Sequence, residues 1–161
     1  MHPIAKVLSD LLGRIDGAIG ALVVESTGIP VQTMSTDPSL NMEDVAALMA
    51  KFLKETTDMI RDLGLSSLKS ATISIDTLVF LLDHVHSNYW LGVLVESWSN
   101  IGLARFEMKR AIDTIRSILI GERVSFERRV EEKEGIFGEG AKEKLKKKLK
   151  ELGLNDLIGE E

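Results

Sequence analysis

Apolar residues recur along this chain at two spacings, and the switches between them mark out the elements. Ile4, Ala5, Val7, Leu8, Leu11 and Leu12 share one face of a helix, Pro3 suits its first turn, and Gly13 is placed to cap it. Residues 18–25 (AIGALVVE) are almost continuously apolar, as a strand covered on both faces should be. Ser26, Thr27 and Gly28 turn the chain into a second strand at 29–34, where Pro30 favours a strand start or a sheet edge. Polar residues 35–39 lead to a long helix over 41–64, with Asn41 as N-cap, Glu43 and Asp44 in its first turn and Gly64 at its end. Three strands follow closely. Residues 69–75 alternate, with Ala71, Ile73 and Ile75 on one face and Ser70, Thr72 and Ser74 on the other. Residues 78–82 and 89–95 are solidly apolar, with a turn expected over 84–88. Connections this short allow only antiparallel neighbours. Ser99 and Asn100 then cap a second long helix over 101–119, closed by Gly121.

The helix over 41–64 carries more apolar surface than one sheet can cover. With about 100° between successive residues, Lys51, Lys54, Glu55, Asp58, Arg61 and Asp62 gather in one sector of roughly 120°. Val45, Leu48, Met49, Phe52, Met59 and Leu63 belong to a much wider apolar arc. A helix packed on one sheet needs a stripe of only about 100° or somewhat more. The surplus needs a second cover. A second copy of the same helix is one candidate, since symmetric dimers are the commonest soluble oligomers. A long loop of the same chain is the other.

Beyond residue 121 the composition shifts. Up to that point there are ten basic and fourteen acidic residues; from 122 to 161 there are ten and eleven, with charge far denser. The expected organisation is therefore a domain at 1–121 and a charged extension at 122–161. Within the extension, a helix over about 141–152 sets Leu145 and Leu149 against a run of lysines that includes Lys144, Lys147 and Lys148. At that length it needs something to dock on. An acidic protein partner, an anionic lipid or a nucleic acid would each suit the lysines, and so would plain solvation.

Composition removes several classes of chemistry. With no cysteine there is no disulfide framework, thiolate nucleophile or Cys-bound zinc, and a reducing cytoplasm fits. A net charge of −5 argues against general nucleic-acid binding. The longest uncharged apolar stretch near the N-terminus, 17–24, is about half a membrane span, and MHPIAKVLSD lacks the order of a secretion signal. Neither a G-x-x-x-x-G-K-[ST] loop nor a G-x-S-x-G elbow is present. Gly13, Gly17 and Gly20 suit a helix stop and close packing rather than a phosphate cradle. Asp83, His84 and His86 could share a metal, but solvated side chains in a turn are the simpler expectation. Trp90 is expected in the core or an interface, and Trp98 at the entry to the last helix, either packed or as a binding anchor. No catalytic residue, cofactor or metal is expected.

Two stretches resemble one known family. GRIDGAIGALVVESTGIPV is similar to the first hairpin of the roadblock (dynein light chain) family, with Ile15, Gly17, Gly20, Ala21, Val23, Gly28 and Val31 at its characteristic places. VLVESWSNIGLARFEMKRAIDTI resembles that family's last strand and helix, with Asn100, Gly102 and Arg105 filling its N-x-G-x-x-R opening. The likeness covers about residues 3–120, and mutual-gliding-protein-B-like members also carry a C-terminal extension. It implies an α+β, three-layer α/β/α (profilin-like) fold. The sheet would be five-stranded and antiparallel, in the order 2-1-5-4-3, with the first and last helices on one face and the middle helix on the other. It further implies a homodimer through the middle helix and third strand, which here means Val45, Leu48, Met49, Phe52, Met59, Leu63, Ser70, Thr72 and Ser74. The implied function is non-enzymatic regulation, or scaffolding, of a small Ras-like GTPase (MglA-type), with GTP hydrolysis or nucleotide exchange altered allosterically. An assembly scaffold without a GTPase, and a module binding anionic surfaces through the lysine helix, are the alternatives.

Overall fold

A computed structural model describes residues 1–151, and within that range the side chains of all but 134–142, 144–146 and 149. The chain divides into two units, Met1–Ile118 and Leu119–Glu161. The elements are α1 (Pro3–Arg14), β1 (Ala18–Glu25), β2 (Pro30–Ser35), α2 (Met42–Asp62), β3 (Ser70–Ile75), β4 (Leu78–His86), β5 (Tyr89–Glu96) and α3 (Ile101–Glu151).

The five strands form one antiparallel sheet in the order β2-β1-β5-β4-β3, as the family likeness implied. Alternation along each strand sorts its side chains between two layers. Leu22, Val24, Phe80, Leu82, Trp90 and Leu94 meet Met42, Ala46, Met49 and Leu53 of α2 in one buried cluster. The intervening residues Ala21, Val23, Val79, Leu81, Val93 and Val95 are buried on the opposite face, where α1 and α3 supply Ile4, Leu8, Leu11, Ala104, Met108 and Ile115. Gly92 lets α2 approach: a Cβ there would lie 2.9 Å from Phe80, 3.0 Å from Leu22 and 3.1 Å from Met49.

Polar residues fix the helix starts as expected. The Asn41 side chain accepts from the N–H groups of Glu43 and Asp44, and that of Asn100 accepts from Leu103. Gly64, at φ 78°, ends α2.

Three boundaries differ from expectation. Helix α1 runs through Gly13 and stops at Ile15, because Leu11 and Leu12 remain buried through that last turn. Strand β4 continues to His86 rather than ending at Leu82, with a bulge between His84 and His86 and the turn at Ser87 and Asn88. The continuation holds because Asp83 and Val85 are buried although their neighbours are polar. Helix α3 does not close at Gly121, which lacks the positive φ of a helix-ending glycine. A single internal glycine costs only about 1 kcal/mol relative to alanine, and the strong helix formers around it outweigh that. In the second unit the backbone of residues 141–151 is helical, and Lys147 and Lys148 are exposed. The side chains of Lys144, Leu145 and Leu149, and all of residue 152, lie outside the described residues.

Candidate functional site

Helix α2 has three flanks with different chemistry. Its inner flank, Met42, Ala46, Met49 and Leu53, is packed on the sheet. Met49 is 0% exposed, so it belongs to this core and not to the dimer surface that the family likeness implied for it. On the helix circumference it lies toward Phe52, and its contacts with the sheet residues of the buried cluster place it in the core. Turning one way round the helix from the core brings Val45 and Phe52, which like Leu68, Ala71, Ile73 and Leu78 are half-buried against that cluster, and then Leu48 and Met59, with Leu63 at the helix C-cap. Those last three are 55%, 58% and 70% exposed. Leu65 and Ile75, which sequence reasoning does not place on this surface, are exposed as well. The alternating pattern of β3 and the apolar residue just after Gly64 are the signals that could have found them.

Strand β3 is an edge strand. The His84 N–H donates to the Lys69 carbonyl at 3.0 Å, which fixes the ladder phase. Antiparallel ladders alternate, so residues 71, 73 and 75 bond to β4 and the backbone groups of Ser70, Thr72 and Ser74 point out from the open edge. The side chains of these three are exposed on the sheet face away from α2. They therefore share an edge with the α2 surface, not a face.

That face of β3 is held from α3. Arg105 donates through Nη1 to the Asp83 Oδ1 at 2.7 Å and to the Leu82 carbonyl at 3.1 Å. Through Nη2 it donates to the Ala71 carbonyl and the Thr72 hydroxyl, both at 2.6 Å. One guanidinium thus ties the edge strand, its neighbour and α3 together. Burial raises the pKa of Asp83 above its ordinary value, while the Arg105 charge and hydrogen bond pull it down. Asp83 Oδ2 is buried without a hydrogen-bond partner. Further along α3, the Arg116 Nε donates to the Val85 carbonyl at 3.0 Å.

Other candidates fall into place without chemistry. Trp90 is in the core, edge-on to the His84 ring at 5.3 Å. Trp98 is 65% exposed, with its ring edge against Gly17. The His84 ring nitrogen meets the Ser87 carbonyl at 2.6 Å, and among the described residues no group of His, Asp and Glu is arranged to hold a metal ion. Nor is any described helix long and apolar enough to cross a membrane.

Comparison with known proteins bears on this arrangement. The family model for the Roadblock/LC7 domain matches residues 4–95. Among solved structures, MglB from Myxococcus xanthus superposes with a TM-score of 0.69 at 17% identity, covering 75% of this chain and 98% of that one. The gliding protein mglB from Thermus thermophilus gives 0.66 at 18% identity, covering 72% and 87%. A Roadblock/LC7 domain from Streptomyces avermitilis gives 0.66 at 18% identity, covering 72% and 97%. A comparison with curated proteins gave no match. With strand order, helix placement and family match in agreement, this chain belongs to the Roadblock/LC7 domain family.

Proposed function

We propose that this chain is a non-enzymatic regulator of a small Ras-like GTPase, and that it acts as a homodimer built on the α2 flank and the β3 edge. The observation that carries the reading is the exposed run Leu48, Met59 and Leu63 beside an unpaired strand edge. Each of these side chains is more than half exposed, so burying it contributes about 1 kcal/mol, counted once in each copy. A twofold axis next to Thr72 sets that residue opposite its own copy, and Ser70 opposite the copy's Ser74. The outward N–H and C=O groups of all three residues are then paired, removing an exposed strand edge.

Support for a GTPase partner comes from family membership, from the MglB folds among the structural neighbours, and from the regulator role that the roadblock likeness implies. The mechanism is a shift in population. A rigid dimer surface that prefers one conformation of the switch loops favours that state, and needs no catalytic side chain of its own. The lysines at 141–152 add an acidic-partner contact, and a chain without cysteine fits a cytoplasmic site of action. The test titrates the protein against the GTPase encoded in the same genome, loaded with GTP or with GDP. Different affinities for the two states, with a change in hydrolysis or exchange, are expected. Equal affinities with both rates unchanged remove the regulator reading and leave an assembly scaffold.

A further inference from the structure

On the flank of α2 opposite the apolar run lies an open cleft of about 780 Å³, bounded by the helix and by the Ser26-Thr27-Gly28 turn between β1 and β2. This is within the usual range for small-molecule sites, roughly 300–1,000 Å³. Its two sides differ. The inner side, its floor, is apolar, with Ala50, Leu53 and the small exposed part of Trp90, a residue otherwise in the core. Small residues leave it room: Ala47 and Ala50 fill little space, and Gly28, at φ 100°, adds no side chain where a Cβ would lie 3.2 Å from that of Ala50.

The outer side is rich in donors. Lys51 and Lys54 stand three residues apart on α2, with Ser26 and Thr57 nearby and the Thr27 hydroxyl donating to Glu25 Oε2 at 3.5 Å. Among the described residues neither lysine makes an ion pair. Asp58, the cleft's single carboxylate, is engaged by Arg61 at 3.5 Å. A chain with a net charge of −5 thus carries a locally cationic hollow that reaches an edge of Trp90 at its floor.

The geometry points to a binding site for a small organic phosphate. Its phosphate would lie between Lys51, Lys54 and the hydroxyls, and its small apolar body over Ala50 and the exposed edge of Trp90. Two ammonium groups, each with three N–H donors, and the hydroxyls of Ser26 and Thr57 offer more donors than a carboxylate can accept, whereas a phosphate presents three strong acceptor oxygens and close to two negative charges. The apolar floor selects against inorganic phosphate alone, since burying a ring there adds a contribution the bare ion lacks. The site is independent of the dimer reading, because none of its residues belongs to the free apolar flank or the β3 edge.

The experiment uses the full chain carrying Trp98→Phe, so that Trp90 is the one remaining indole. Phenyl phosphate, inorganic phosphate and phenol are titrated separately while Trp90 emission is followed. In parallel, backbone amide shifts are mapped by NMR, so that an insensitive indole cannot hide binding. Phenyl phosphate should saturate and shift the amides of residues 26–28 and 47–61. Inorganic phosphate should bind at least about fivefold more weakly and phenol should not saturate; the combined Lys51→Ala and Lys54→Ala change should weaken phenyl phosphate by about tenfold or more. Both lysines are exposed, so the variant keeps the fold. Absence of saturation by either readout up to about 10 mM, or equal binding by the double variant, would overturn the assignment and leave the lysines as solvated charges.

Discussion

Replacing Arg105 by alanine tests how the edge strand is held. Asp83 is 8% exposed and its Oδ2 already lacks a hydrogen-bond partner. Removing the guanidinium strips Oδ1 of its 2.7 Å bond and leaves a carboxylate buried with no adjacent counter-charge, Lys109 acting only from further off. Breaking a buried pair from one side costs roughly 3–5 kcal/mol. The Arg105 side chain is 21% exposed, so water can enter where it stood, and the lower end, about 3 kcal/mol, is expected. With a urea m-value of about 2 kcal/mol/M, the unfolding midpoint should fall by about 1.5 M at fixed protein concentration. Replacing both partners together, Asp83→Leu with Arg105→Met, should restore most of that, because the stranded charge goes too. A midpoint shift below about 0.3 M for Arg105→Ala would refute the reasoning.

The same carboxyl predicts a pH effect. Its folded pKa is raised above the ordinary value of 3.8, so the folded chain holds this proton at a pH where the unfolded chain has lost it. Lowering the pH through the folded value toward the unfolded one therefore stabilises the fold at this residue, and raising it does the reverse. Wild type should gain on Asp83→Asn between about pH 7 and pH 4 in parallel denaturation curves; a gap that stays constant rules the effect out. Gly92→Ala should cost about 1–3 kcal/mol by forcing Phe80, Leu22 and Met49 apart, read as a lower thermal midpoint, and an unchanged midpoint would show that the contact gives way freely. Asn41→Ala should cost about 1 kcal/mol through the lost N-cap, while Asn41→Ser should be nearly neutral. Thr72→Cys should give a disulfide-linked pair under mild oxidation if the strands meet about a twofold axis at that residue, since directly opposed Cα atoms there lie about 5.5 Å apart. Failure to cross-link, with Ser70→Cys and Ser74→Cys equally silent, would reject edge pairing.

Much of the fold is legible in the sequence because local patterns agree with the final structure. The two asparagine caps, the glycine that ends α2 and the alternation in β3 each specify an element with little help from elsewhere. What stayed hidden depends on distant partners. Arg105 stands in a recognisable motif, but its carboxylate lies 22 residues earlier, and no spacing rule joins the two. Strand β4 looks as though it ends at Leu82 because Asp83, His84 and His86 are polar. Two of its last residues are nevertheless buried, one by Arg105 from above and the other within the sheet. The surplus of apolar surface on α2 could be read directly, but its division between core and free flank could not. Met49 sits on that border, and only the sheet beneath decides its side.

The proposed dimer requires that a second copy cover the exposed flank of α2 and the edge of β3. Multi-angle light scattering after size exclusion, at micromolar concentration, measures this directly. The expected mass is twice the 17.8 kDa of one chain, falling to 17.8 kDa when Leu48→Glu and Met59→Glu place charges on the flank. A wild-type chain that elutes as a stable 17.8 kDa species would contradict it.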